Sequence, residues 1–115
     1  KQAFQTADFF IHGSGPSLVA EDFVQAWHRQ TGKPFGVFGV TLQDIKPSLK
    51  ELLPHAAFVF TRETASVERL RQAGVTGPTI AFAPDATFAL TIQDREKAAA
   101  FMRANGLEAR QFVCA

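Results

Sequence analysis

"FGVFGVTLQDIKPSLKELLPHAAFVFTRETASVERL", residues Phe35 to Leu70, holds two short apolar runs, each followed by a stretch of helical period. That order decides the fold. FGVFGV (Phe35 to Val40) and AFVFT (Ala57 to Thr61) are continuous and rich in Phe and Val, as strands buried on both faces of a parallel sheet are. Between them, SLKELL offers Ser48 and Glu51 as a capping box, with Leu49, Leu52 and Leu53 on the buried side. After the second run, Val67, Leu70 and Ala73 form the inner stripe of ETASVERLRQAG, and Gly74 supplies its C-terminal stop.

Working outward, the same unit recurs on both sides. DFFIH (Asp8 to His12) and TIAFA (Thr79 to Ala83) are further strand candidates. Pro16 stands where a first helical residue would lie. Val19, Phe23 and Trp27 follow at a four-residue spacing that predicts one apolar stripe, and Gly32 ends the helix. Beyond the fourth strand, PDATFAL reads as a loop. DREKAAAFMRANG then turns helical, with Asp94 as cap, Gly106 as stop, and Ala98, Phe101 and Met102 facing inward. The closing QFVCA is a candidate fifth strand.

The alternation predicts an α/β, Rossmann-like three-layer parallel sheet of about four strands with alternating helices. Right-handed crossovers between consecutive strands would put these helices mostly on one face, unless the strand order reverses, and the other face must then be covered by something missing from this chain. The expected organisation is a Rossmann-like N-terminal domain over residues 1–92, incomplete, a connecting helix over 93–110, and a first strand of a second domain over 111–115. The start without methionine and the end at RQFVCA predict that both termini fall within a longer protein.

Composition excludes several function classes. The chain has 115 residues, 46% of them hydrophobic and 20% charged, which is the profile of a globular domain. Twelve Lys and Arg against eleven Asp and Glu leave a net charge of +1, without the basic footprint of a nucleic-acid binder. One cysteine, Cys114, allows no internal disulfide and no cysteine-based zinc site, which fits a reducing cytosol. No apolar run is long enough to span a bilayer, and KQAFQTADFF lacks the order of a signal peptide. Twelve phenylalanines and no tyrosine read as core filling.

In open α/β sheets ligands bind beyond the carboxyl ends of the strands. The residues just after each strand are His12-Gly13-Ser14-Gly15, Thr41-Leu42-Gln43-Asp44, Thr61-Arg62-Glu63 and Pro84-Asp85-Ala86-Thr87, a mixed polar rim. In the first, Gly13, Ser14 and Gly15 could bring backbone N–H groups to an anion beside a helix N-terminus. The loop matches neither the dinucleotide fingerprint nor the Walker A pattern, and a plain tight turn is the competing reading. Arg62 could clamp a phosphate or carboxylate in bidentate fashion, or pair with Glu63 or Glu68 at the surface. Asp85 could be a base or a loop-fixing Asx residue. Of the histidines, only His12 sits at the rim, where an imidazole could move protons near neutral pH; His28 and His55 read as solvated helix-end residues. The three are too dispersed for a metal site, and Ser14 and Ser17 lack the setting of a nucleophile elbow.

Taken in order, these pieces resemble the polysaccharide pyruvyl transferase family. ADFFIHGSGPSL looks like that family's strand and glycine-rich loop, and GKPFGVFGVTLQDI like its next strand with a polar turn. HAAFVFTRETASVERLRQAGV is similar to the family's Arg-Asp-x-x-Ser segment, and IAFAPDATFAL to its Asp-Pro-Ala-Phe segment. Glu63 stands where aspartate is usual. HGSGPS replaces a fuller glycine run.

The resemblance implies an enzyme that takes phosphoenolpyruvate as donor substrate, with no separate cofactor, and places a ketal-linked pyruvyl group on a glycan or lipid-linked sugar acceptor in surface polysaccharide biosynthesis. It implies two Rossmann-like domains arranged as in GT-B glycosyltransferases, with the active site between them. The catalytic acid and base are then expected on a C-terminal domain that this sequence does not contain, so the fragment alone would be inactive. Arg62 would hold the anionic substrate, with Ser66 at the matching spacing and Gly13, Ser14, Gly15 and Asp85 as further substrate-binding candidates. The expected location is the cytoplasm or the inner membrane face. A GT-B-like glycosyltransferase using a sugar nucleotide and a non-catalytic Rossmann-like interaction module are the competing functions, because function lives in the site and not in the fold.

Overall fold

A computed structural model describes residues 2–13 and 15–113 of the chain. It contains α1 (Gln2–Thr6), β1 (Phe10–His12), α2 (Glu21–Thr31), β2 (Phe35–Val40), α3 (Pro47–Leu52) running into a 3-10 turn (Leu53–His55), β3 (Phe58–Thr61), α4 (Thr64–Gln72), β4 (Thr79–Phe82), a second 3-10 turn (Ala86–Ala89) and α5 (Arg95–Ala104). The four strands form one parallel sheet in the order β1-β2-β3-β4. This is the α/β alternation expected from the sequence.

Sequential order with right-handed crossovers brings α2, α3 and α4 onto one face of the sheet. Val24 and Trp27 of α2, Leu49 and Leu52 of α3 and Leu70 of α4 share a single core with Phe35, Val37, Val40 and Val59 of the sheet. The register puts Val37 beside His12 and Val59, and Val59 beside Ile80, so this face continues across all four strands. Trp27 fills its centre and is fully buried. Its indole N–H, which needs an acceptor once out of water, donates to the carbonyls of Lys33 and Pro34 at 3.1 Å.

The opposite face is paved with aromatic rings. Phe58 stacks on Phe9 and Phe60 with centroids 6.0 and 4.8 Å apart, and Phe60 meets Phe38 edge to face at 6.2 Å. Gly36 makes this possible: a Cβ there would lie 2.3 Å from the Phe58 ring. No described helix covers these rings, as the crossover argument anticipates.

β2 carries a bulge. Phe38 pairs with Phe60 but Val40 pairs with Thr61, leaving Gly39, at φ 72°, as the extra residue. The bulge returns Val40 to the helix-covered face and ends β2 with Thr41 at the sheet's carboxyl rim. Gly15 then lies against it, donating its N–H to the Gly39 carbonyl at 3.3 Å and accepting from the Thr41 N–H at 3.1 Å.

Several sequence expectations are corrected by the structure. The helix after β1 starts at Glu21, five residues past Pro16, with Ala20 as an N-cap that makes no side-chain bond. Of the stripe Val19, Phe23 and Trp27, only Trp27 is buried; Val19 and Phe23 are 73% and 66% exposed. The later start shifts the buried positions to Val24 and Trp27, with Leu18 packing from the loop. Ser48 does not cap α3, which begins at Pro47 with Lys46 as N-cap, because the proline at N1 sets the start two residues earlier. α5 is capped by Asp94 as expected, its carboxylate accepting from the Lys97 N–H at 2.9 Å. Its apolar face is not inward, however: Phe101 is 63% exposed, and no residue of α5 is buried. Residues 111–113 of the expected fifth strand are irregular, and the remainder lies outside the described residues.

Candidate functional site

Three strand ends meet at one point on the carboxyl rim. Arg62 follows β3 directly, and its own N–H bonds the Val40 carbonyl at 3.1 Å, so its backbone is an extension of the sheet. Its side chain reaches sideways in both directions. Nε donates to Thr41 Oγ1 at 2.8 Å, at the end of β2, and Nη1 to Asp85 Oδ2 at 3.2 Å, beyond β4. Among the described residues, Nη2 has no hydrogen-bond partner. Arg62 lines a shallow cavity together with Phe82, Pro84, Asp85, Thr87 and Phe88.

Asp85 is itself fixed. Its Oδ1 accepts the backbone N–H of Thr87 at 3.0 Å and the Thr87 hydroxyl at 2.9 Å, which caps the 3-10 turn at Ala86. These bonds from Thr87, and then Arg62, hold its carboxyl below the usual carboxylate range. Asp85 is thus the loop-fixing Asx residue and also the ion-pair partner of Arg62. Neither Glu63 nor Glu68 takes that role: Glu63 pairs with Arg69 at 3.4 Å, and Glu68 accepts from Gln72.

Ser66 lies behind the rim and is fully buried. Its hydroxyl accepts the Leu42 N–H at 2.7 Å and contacts the Leu42 carbonyl and the Glu63 carboxylate. Ser66 therefore ties the first turn of α4 to the segment after β2, and so ties Arg62 to Thr41 through the backbone. The spacing that suggested Ser66 as a ligand-facing residue is the one that makes this staple.

The glycine-rich loop has a different character from the Arg62 rim. Gly13 is exposed, Gly15 spends its N–H on Gly39, and Ser14 lies outside the described residues. Glu21 and Asp22 occupy the first turn of α2, and Glu63 is the N-cap of α4 with its carboxylate on Ser66, so an acidic side chain offsets the partial positive charge at each of these helix ends. His12 is 8% exposed. Its Nε2 takes a long contact of 3.4 Å from the Ala20 N–H, and burial pulls its pKa below the ordinary histidine value. Its buried Nδ1 has no partner among the described residues. His28 and His55, far from the rim in α2 and the first 3-10 turn, stack at 4.6 Å. Thr41 and Thr87 are the rim residues whose roles the sequence did not reveal; their positions directly after β2 and two residues past Asp85 were the available signal.

No group of three or more His, Cys, Asp or Glu able to hold a metal occurs among the described residues, and none of their helices is long and apolar enough to cross a membrane. A parallel sheet with helices alternating along the chain defines an α/β domain, and the carboxyl rim where Arg62 is fixed is the edge at which open α/β sheets bind their ligands. The family model for polysaccharide pyruvyl transferase matches residues 4–112, nearly the whole chain, and the chain belongs to that family. The family is one of transferases, and its name points to a sugar or polysaccharide acceptor. Neither the curated proteins nor the solved structures include a significant match to the chain.

Proposed function

We propose that the protein transfers pyruvyl from phosphoenolpyruvate to a pair of hydroxyls on a glycan or lipid-linked sugar, as a step in surface polysaccharide assembly, and that Arg62 binds the anionic donor. The observation that carries this reading is Arg62 itself: a guanidinium fixed at the carboxyl rim of the sheet, whose Nη2 has no partner among the described residues, in a chain of this family.

The chemistry defines what such a site must do. Protonation of the donor's methylene carbon makes an oxocarbenium-like centre, and one sugar hydroxyl adds to it. Expulsion of phosphate regenerates the cationic centre, and the second hydroxyl closes the ketal. Of the two hydroxyl protons given up, one replaces the proton delivered to carbon and the other leaves with phosphate. The reaction needs a positioned acid and base, with cationic groups on the donor's carboxylate and phosphate. Arg62 supplies one such cation, and the acid and base come from a second domain that closes a GT-B-like cleft over this rim. The uncovered apolar side of α5 and the aromatic face of the sheet support a larger parent fold. A donor made in the cytoplasm places the protein there or at the inner membrane face.

The test is incubation of the intact protein with isotopically labelled phosphoenolpyruvate and a polysaccharide acceptor. Label in an acid-labile ketal on the acceptor, with one phosphate released per ketal, is the expected result. Binding of a sugar nucleotide with no transfer from phosphoenolpyruvate would replace this reading with glycosyl transfer.

A further inference from the structure

Arg62 does not offer a free positive charge. Its Nε is taken by Thr41, one Nη by Asp85, and the other oxygen of Asp85 by Thr87, so four side chains from three successive strand ends form one chain of hydrogen bonds. Two consequences follow. The guanidinium plane is held at two points and cannot swing toward a ligand, so Arg62 lines the cavity beside Phe82 and Phe88 in a fixed orientation. The Asp85 carboxylate, kept ionised by Thr87, also cancels the arginine's charge within the same cavity.

We infer that Thr41 and Asp85 are positioning residues for Arg62, and that the Arg62–Asp85 pair makes this cavity select a singly charged carboxylate over a doubly charged phosphate. A carboxylate can accept from Nη2 with its second oxygen turned away from Asp85 and its apolar carbon against the phenylalanine rings. A phosphate dianion at the same donor brings a second charge toward the Asp85 oxygens, and like charges repel. On the reading of the protein as a pyruvyl transferase, Arg62 therefore holds the carboxylate end of phosphoenolpyruvate and leaves the phosphate for other cations.

The experiment is direct titration of the intact protein with pyruvate and with inorganic phosphate, followed calorimetrically, in wild type, Asp85→Asn, Thr41→Val and Arg62→Ala. Binding is read without turnover, so the result stands apart from whether pyruvyl transfer occurs. Wild type is expected to bind pyruvate more tightly than phosphate at this site, with the pyruvate binding lost in Arg62→Ala. Asp85→Asn keeps the shape and removes the charge, and is expected to tighten phosphate about tenfold relative to pyruvate, the scale of removing one nearby charge. Thr41→Val is expected to weaken both anions alike, with Thr41→Ser restoring them. An unchanged phosphate-to-pyruvate ratio in Asp85→Asn would overturn the selectivity, as would wild type binding neither anion. Uniform weakening in Asp85→Asn with an unaltered melting temperature would reduce Asp85 to positioning alone and also overturn it.

Discussion

The ring of Phe58 lies flat against Gly36 across the β2–β3 pair, with its Cζ and Cε atoms 2.3 to 2.7 Å from where any side chain on Gly36 would begin. The contact fixes a row of phenylalanines on the sheet face opposite the helices, and Gly36 is required for its close approach and not for an unusual backbone angle. Gly36→Ala is expected to destabilise the fold by about 1–3 kcal/mol, the usual cost of overpacking. Phe58→Leu, introduced second, is expected to recover part of that loss. Denaturant midpoints of the two single variants and the double variant check the coupling; simple additivity would show that the ring moves aside freely.

Ser66 gives a second stability prediction. Its hydroxyl is the partner of the buried Leu42 N–H, and Ser66→Ala leaves that donor unsatisfied. A loss of about 1–3 kcal/mol is expected, measured as a lower unfolding midpoint. Because the staple connects the segments carrying Thr41 and Arg62, anion binding at Arg62 is expected to weaken in the same variant even below its melting temperature.

His12 predicts a pH dependence. Burial lowers its pKa in the folded state, so as pH falls the unfolded chain takes up the proton first. The contribution to stability is complete above the ordinary histidine value, about 6.5, and declines as pH falls from there toward the folded-state value. The stability difference between wild type and His12→Gln is expected to shrink between about pH 7.5 and pH 5, the range in which histidine changes charge. A difference that stays constant over this range would show that His12 is not titrating against a buried neutral state.

These residues also show what the sequence could and could not reveal. The strands were legible because their apolar runs are short, continuous and rich in Phe and Val, and the ends of α2 and α4 because Gly32 and Gly74 sit where the helical period stops. The start of α2 was not. Pro16 has the chemistry of a first helical residue, but Gly15 is pinned to β2 by two backbone bonds, and the chain must first clear that contact before it can coil. Arg62 and Asp85 were legible as rim residues by position alone. Their pairing was not, because it depends on adjacency of β3 and β4 across 23 residues of chain. Ser66 was misleading for a related reason: its spacing from Arg62 marks a recurrent local structure, and only packing shows that its hydroxyl turns inward.

The role of Arg62 as the donor-binding cation is reached most directly by one measurement: phosphate release and ketal formation from phosphoenolpyruvate by the intact protein, compared between wild type, Arg62→Lys and Arg62→Ala. Loss of a charge-assisted hydrogen bond predicts a fall in kcat/KM of about tenfold to a hundredfold for Arg62→Ala. Lysine, which keeps the charge but cannot bond Thr41 and Asp85 in the same plane, is expected to recover only part of it. Full activity in Arg62→Ala, with pyruvyl still transferred, would contradict the account.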